Sequence, residues 1–345
     1  MSAFSANEAE ALAEGGTLPV FHGGDLDAAR RQFPNAPEPW LDLSTGINPV
    51  PYPLPPFEAS TLQRLPSAAD LLTLKLAAAK AYGAPDSNHV ATAPGSQILI
   101  ETIPRLRPAS RVAVVGPTYA EHAMAWRRSG HAVETVSELP SADRLDVVVA
   151  VNPNNPDGRI HAPDALRQLS RTLSSKGGLL VADEAFADLE ADGSVGTDLG
   201  AGAVRLRSFG KSYGLAGLRL GFALAEPILA QRIETALGPW AVSGPAIAAG
   251  LVALPDAAWR QETATARAKD AARLDRMIVR GGGQIVGGTV LFRTATFRDG
   301  LSMFRLLGEA GIYVRRFPEA PSQLRFGLPP DKGAWCRLSR VLKSV

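Results

Sequence analysis

The sequence predicts an α/β fold: a mostly parallel sheet with helices on both faces, followed by a smaller α+β domain. Three observations predict it. Short apolar runs recur at Arg111–Val115, Val147–Val151 and 179–182, each stopped by a turn or a polar step. Helical stretches separate those runs. Beyond Pro239 the pattern changes, to one long helix and then strands and helices in blocks. Strands that are apolar throughout are buried on both faces, as parallel strands under crossover helices are.

Each element follows from local chemistry. Residues 1–60 hold Pro34, Pro37, Pro39, Pro49, Pro51, Pro53, Pro55 and Pro56, which forbid a continuous helix. This stretch reads as an irregular arm with one short strand at 40–43. Residues 71–82 (LLTLKLAAAKAY) are helical and stop at Gly83 and Pro85. The strand Arg111–Val115 ends at Gly116-Pro117, and a helix over 119–129 ends at Gly130. The strand Val147–Val151 stops at Asn152-Pro153. A helix over 163–173 has proline near its start. The strand 179–182 runs into Asp183-Glu184, and 204–208 and 220–224 are further strands. A long helix over 257–280 ends at three glycines, 281–283. Residues 285–286 and 290–292 form a hairpin. A helix (301–310), two strands (312–314 and 323–326) and a terminal helix (332–342) complete the chain. The expected organisation is an arm (1–50) packing with a small domain (241–345), and a large domain (51–240).

Composition excludes several functions. Lys+Arg is 36 against Asp+Glu 34, a net charge of +2, which argues against a dedicated nucleic-acid binder. One cysteine allows neither an intrachain disulfide nor a Cys-cluster zinc site, and the five histidines form no H-E-x-x-H pair, so no metal site is expected. Residues 1–17 carry Glu8, Glu10 and Glu14 and no basic region, unlike a targeting signal. No apolar stretch approaches the roughly 18–20 residues of a membrane span. The chain reads as a cytoplasmic protein without a membrane partner. A pattern G-x-x-G-x-x-x-G at 214–221 is not a dinucleotide fingerprint.

In parallel sheets ligands bind beyond the carboxyl ends of the strands. The residues after each run are therefore the candidates: 117–119, 152–158, 183–186 and 208–211. Taken singly, each has an ordinary reading. A strand-end Asp is usually a cap, Asn-Pro steps mark turns, and a lysine in a glycine-rich turn is usually solvated. Their joint order is informative. Asn152-Pro-Asn-Asn-Pro-Asp-Gly158, then Asp183-Glu-Ala-Phe186, then Ser208-Phe-Gly-Lys211 with Arg219 eight residues on, resembles the pyridoxal-phosphate (PLP) enzymes of the aspartate-aminotransferase superfamily. The resemblance covers about residues 22–328.

The resemblance implies the aspartate aminotransferase fold, a PLP cofactor and a homodimer with active sites at the subunit interface. Lys211, one of only seven lysines, would carry the covalent link to the PLP aldehyde. Asp183 would hold the pyridine nitrogen protonated, Tyr119 would stack on the ring, and Asn155 would donate to the ring hydroxyl. Gly95, Ser96 and Gln97, at an expected helix N-terminus, would bind the cofactor phosphate with Ser208 and Arg219. Arg325 would grip the substrate α-carboxylate as a bidentate pair. Two positions depart from the family pattern. Phe186 stands where most relatives have tyrosine, which removes one hydroxyl from the ring oxygen. Leu65-Pro-Ser67 stands where many have Tyr-Pro-Asp.

The arm bears on the reaction. His22-Gly-Gly-Asp25 and Leu41-Asp-Leu-Ser-Thr-Gly-Ile-Asn-Pro49 resemble the branch of this superfamily that decarboxylates L-threonine O-3-phosphate in cobalamin biosynthesis. The resemblance implies that Asn48 lies near the substrate carboxylate. His22 with Gly23-Gly24 is a candidate site for the substrate phosphate, because glycines let N–H groups converge on an anion. Histidinol-phosphate aminotransferase-like transamination is the alternative, and a non-catalytic sensor built on this fold is a third.

Overall fold

A computed structural model describes residues 23–190 and 200–344. Its strands are β1 (Leu41–Leu43), β2 (Val90–Ala93), β3 (Arg111–Val115), β4 (Ala132–Val136), β5 (Val147–Val151), β6 (Leu179–Asp183), β7 (Ala203–Ser208), β8 (Gly221–Ala225), β9 (Gln284–Thr289), β10 (Phe292–Thr296), β11 (Ile312–Arg316) and β12 (Gln323–Gly327). The chain divides into two compact units. The large one comprises Ile47–Lys269 and Gly288–Leu291. The small one takes the described residues up to Gly46, Asp270–Gly287, and the chain from Phe292 onward.

The large unit is built on a seven-stranded sheet of order β2-β8-β7-β6-β5-β3-β4. Only β8 runs antiparallel to its neighbours, β2 and β7. Alternation fills both faces. Val112, Val114, Val147, Val149, Val181, Val204 and Leu206 pack with Leu99, Ile103 and Trp126 on one side. Ala113, Val148, Ala150, Leu180 and Ala182 pack with Leu166, Leu169 and Leu173 on the other. The helix Pro163–Ser174 presents that leucine stripe at three- and four-residue spacing.

Sequence and structure differ at identifiable places. The strands β2 and β4 escape the apolar-run reading. β2 is Val-Ala-Thr-Ala, fully buried but weakly hydrophobic. β4 is an edge strand, half exposed. The arm expected to be irregular contains a helix, Leu26–Gln32, capped by the Asp25 carboxylate accepting from Ala28 N. The boundary expected at residue 240 lies inside the large unit, which runs to Lys269. Ala246, Ile247, Ala253 and Leu254 of the helix Gly244–Ala253 and its following turn, with Trp259, pack on Leu74, Tyr213 and Phe222.

The small unit carries a five-stranded sheet, β1-β11-β12-β10-β9. Arm strand β1 pairs in parallel with β11, and β12 runs antiparallel to both β10 and β11. Leu41, Leu43, Ile312, Val314 and Phe326 pack with Leu274, Ile278, Phe304, Leu307 and Leu338. The second half of the helix Ala257–Arg280 and the terminal helix Lys332–Leu342 supply part of that layer. No helix among the described residues is long and apolar enough to cross a membrane.

Candidate active site

The predicted residues of the large unit collect where the parallel strands of its sheet end. The register explains why. Val151 lies opposite Asp183, and Asp183 opposite Leu206. Ser208 and Ala93 both lie opposite Gly221. The strand ends therefore form one row, and the loops leaving it carry the functional side chains.

Asp183 closes β6 with its side chain about 5% exposed. Its Oδ1 accepts from Ala185 N at 3.0 Å. Its Oδ2 lies 2.8 Å from His122 Nε2, and His122 is also buried. A buried carboxylate needs hydrogen-bond partners facing it. His122 supplies that contact from the helix Glu121–Arg128. Sequence reasoning missed this residue, because a histidine four residues before Trp126 reads as ordinary helix surface. Its ring meets that of Tyr119 edge-on, with centroids 6.2 Å apart. Tyr119 Oη donates to Gln97 Oε1 at 2.9 Å.

Lys211 lies on the single turn Phe209–Ser212, directly beyond β7. Its Nζ stands 5.5 Å from the centre of the Phe186 ring. The backbone holding it is fixed by Asn48, whose N donates to Lys211 O at 2.8 Å and whose Nδ2 donates to Ser212 O at 2.9 Å. Arg267 Nη1 donates to Asn48 Oδ1 at 3.3 Å. Asn48, expected near the substrate carboxylate, is engaged here in holding the lysine segment. Tyr213, next in sequence, stacks between Phe209 and Trp259. On the other face of β7, Arg207 is buried against Glu184 (2.8 Å) and Asp188 (2.7 Å).

Gly95, Ser96 and Gln97 open the helix Ser96–Arg105. No side chain caps it, so its first N–H groups lack an intramolecular side-chain acceptor. Gly95 has φ +88°, and a Cβ there would stand 2.4 Å from Arg219 Nη2. Arg219 itself is left-handed at φ 55°. A Cβ on Gly221 would stand 2.5 Å from Ser96 N. Two glycines thus let a guanidinium, a helix N-terminus and the end of β7 approach one another. A phosphate fits this donor set through charge-assisted hydrogen bonds and the helix dipole.

The loop after β5 is stitched to the loop after β3. Asn154 Oδ1 accepts from Thr118 Oγ1 at 2.6 Å, and Asn154 Nδ2 donates to Pro117 O at 3.0 Å and Asp157 Oδ1 at 2.7 Å. Asn152 Oδ1 accepts from His161 N at 2.7 Å. These bonds fix the segment on which half-buried Asn155 sits. Leu65 is exposed, and Ser67 forms a capping box with Asp70 at the start of the helix Ala68–Tyr82.

In the small unit Arg325 is buried on β12. Its Nη2 donates to Ser44 O at 2.7 Å, and its guanidinium lies 5.0 Å from the centre of the Phe292 ring. Burial, then the like charge of Arg315, pulls its pKa down to about 9. An incoming carboxylate would offset both penalties. Gly24 N donates to Ser44 Oγ at 2.7 Å. That N–H is therefore committed within the arm and is not one of the anion donors expected of Gly23-Gly24. His22 lies outside the described residues.

The family described as aminotransferase class I and II matches residues 57–332. A threonine-phosphate decarboxylase of Pseudomonas aeruginosa is 41% identical over 325 residues, covering 93% of this chain and 96% of that protein. A threonine-phosphate decarboxylase of Sinorhizobium sp is also 41% identical, covering 94% and 98%. Among solved structures, the histidinol-phosphate aminotransferase of Sinorhizobium meliloti in complex with pyridoxal-5'-phosphate superposes with a TM-score of 0.76 at 21% identity. That match covers 94% of this chain and 95% of that one. The chain belongs to the aminotransferase class I and II family, and its fold is the α/β fold that the sequence predicts.

Proposed function

We infer that this protein is a PLP-dependent decarboxylase. Its substrate is L-threonine O-3-phosphate and its product (R)-1-amino-2-propanol O-2-phosphate, a precursor in cobalamin biosynthesis. The observation that carries this reading is the 41% identity, over nearly the whole chain, to two proteins named threonine-phosphate decarboxylase. The strand-end site supports it, because its donors suit both ends of PLP.

When bound, PLP supplies an aldehyde for amines and a ring that accepts the electrons of the bond broken at Cα. Lys211 Nζ would hold the cofactor through its aldehyde. Asp183, backed by His122, keeps a proton at the ring nitrogen. Ser96, Gln97, Ser208 and Arg219 bind the cofactor phosphate, Tyr119 covers the ring, and Asn155 donates to its hydroxyl. Arg325 receives the α-carboxylate. With CO2 gone, Lys211 gives its proton to Cα, so one proton replaces one carboxylate. The working unit is a homodimer.

In deuterium oxide the product should carry one deuterium at the carbon that lost CO2. Lys211→Ala should lower kcat by at least about 10²-fold. Unchanged turnover in that variant would remove lysine from the mechanism. Transamination of histidinol phosphate is the second reading. Phe186 in place of tyrosine separates this chain from the pattern of most transaminases.

A further inference from the structure

Away from the strand-end site, the small unit carries a second concentration of charge. The helix Ala257–Arg280 presents Arg273, Arg276 and Arg280, spaced three and four residues apart and so on one face. The terminal helix Lys332–Leu342 adds Trp335 and Arg340, and Lys343 follows at its C-cap. All of these line one cleft of about 460 Å3, whose walls include five cations and no acidic side chain.

The five cations are exposed. Several arginines elsewhere are matched by carboxylates: Arg30 with Asp27 and Glu38, Arg128 with Glu101 and Glu121, and Arg293 with Asp275. In the cleft, none of the five side chains forms a hydrogen bond or ion pair with a described residue. Arg273 instead lies over the ring of Trp335, 4.2 Å from its centre. Helix dipoles favour Arg280, Arg340 and Lys343 individually, near helix C-termini. They do not account for Arg273 and Arg276 converging on the same concavity. Like charges held together repel, and an anion bridging several of them relieves that repulsion.

We propose that this cleft binds a small polyanion bearing a di- or triphosphate group. A single negative charge would engage one or two of these side chains, whereas a phosphate chain engages several in bidentate fashion. Trp335 is buried and already covered by Arg273, so it offers no face for a nucleobase. Recognition is therefore of the phosphate chain.

The test is calorimetric titration of tripolyphosphate into the PLP-loaded full-length protein, whose strand-end phosphate site is then filled. One equivalent should bind per chain, more weakly as salt rises. The double variant Arg276→Gln/Arg340→Gln should weaken binding by at least about tenfold. The control Arg64→Gln/Arg298→Gln, which removes the same charge at two other exposed positions, should leave it unchanged. Thermal melting confirms that both variants fold. No binding at millimolar tripolyphosphate, binding untouched by the cleft variant, or equal loss in the control would each overturn the proposal.

Discussion

Asp183 and His122 show what a single contact contributes. The carboxylate lies almost out of reach of water, and one nitrogen of His122 stands 2.8 Å from it. Replacing His122 with Phe removes a buried donor to a charged group. Stability should fall by about 1–3 kcal/mol, and kcat should fall with it, because the proton on the ring nitrogen is less well held. His122→Gln, which keeps a donor, should restore much of kcat; denaturant unfolding and steady-state rates check both. Arg325 gives a prediction in ligand preference. Arg325→Gln should weaken binding of L-threonine O-3-phosphate by at least about tenfold. Binding of the product, which lacks the carboxylate, should change little; binding titrations with the two compounds compare them. Lys211, Asp183 and Arg219 were legible as residues because three motifs stood in order. His122 was not, because its partner is 61 residues away and no local pattern announces it.

The elements act by bringing their ends together. The helix Ser96–Arg105 can lay its N-terminus on β8 only because Gly221 lacks a side chain. Gly221→Ala drives a Cβ into backbone rather than into a movable side chain. The helix must retreat, at a cost of about 1–3 kcal/mol, and the cofactor should dissociate more readily; dialysis followed by absorbance of retained PLP measures this. The strand β7 carries a different constraint. It alternates Val204, Leu206 and Ser208 on one face with Arg205 and Arg207 on the other. Arg207→Met leaves Glu184 and Asp188 buried without that partner. Unfolding should be easier by about 3–5 kcal/mol, measured by denaturant titration. Strands β3, β5 and β6 were legible as apolar runs because both their faces are buried. β2 and β4 were not: one is built of small residues and the other lies half exposed at the edge.

The whole molecule sets the limits of what sequence pattern can show. The change of pattern after residue 239 is real, yet 241–269 belong to the large unit. Packing of the helix Gly244–Ala253 onto Leu74 decides the boundary, and no composition shift marks that contact. The active assembly should sediment at twice the chain mass; a monomer with full activity would exclude the proposed dimeric site. Fold and family serve decarboxylation and transamination alike, since the roles proposed for Lys211, Asp183 and Arg219 are the same in both. The direct measurement is the yield of CO2 and amine from L-threonine O-3-phosphate, with PLP-loaded protein and no 2-oxoglutarate. The account predicts one CO2 and one (R)-1-amino-2-propanol O-2-phosphate for each substrate consumed, over many turnovers. No CO2, with turnover appearing only when 2-oxoglutarate is added and glutamate accumulating, would contradict it.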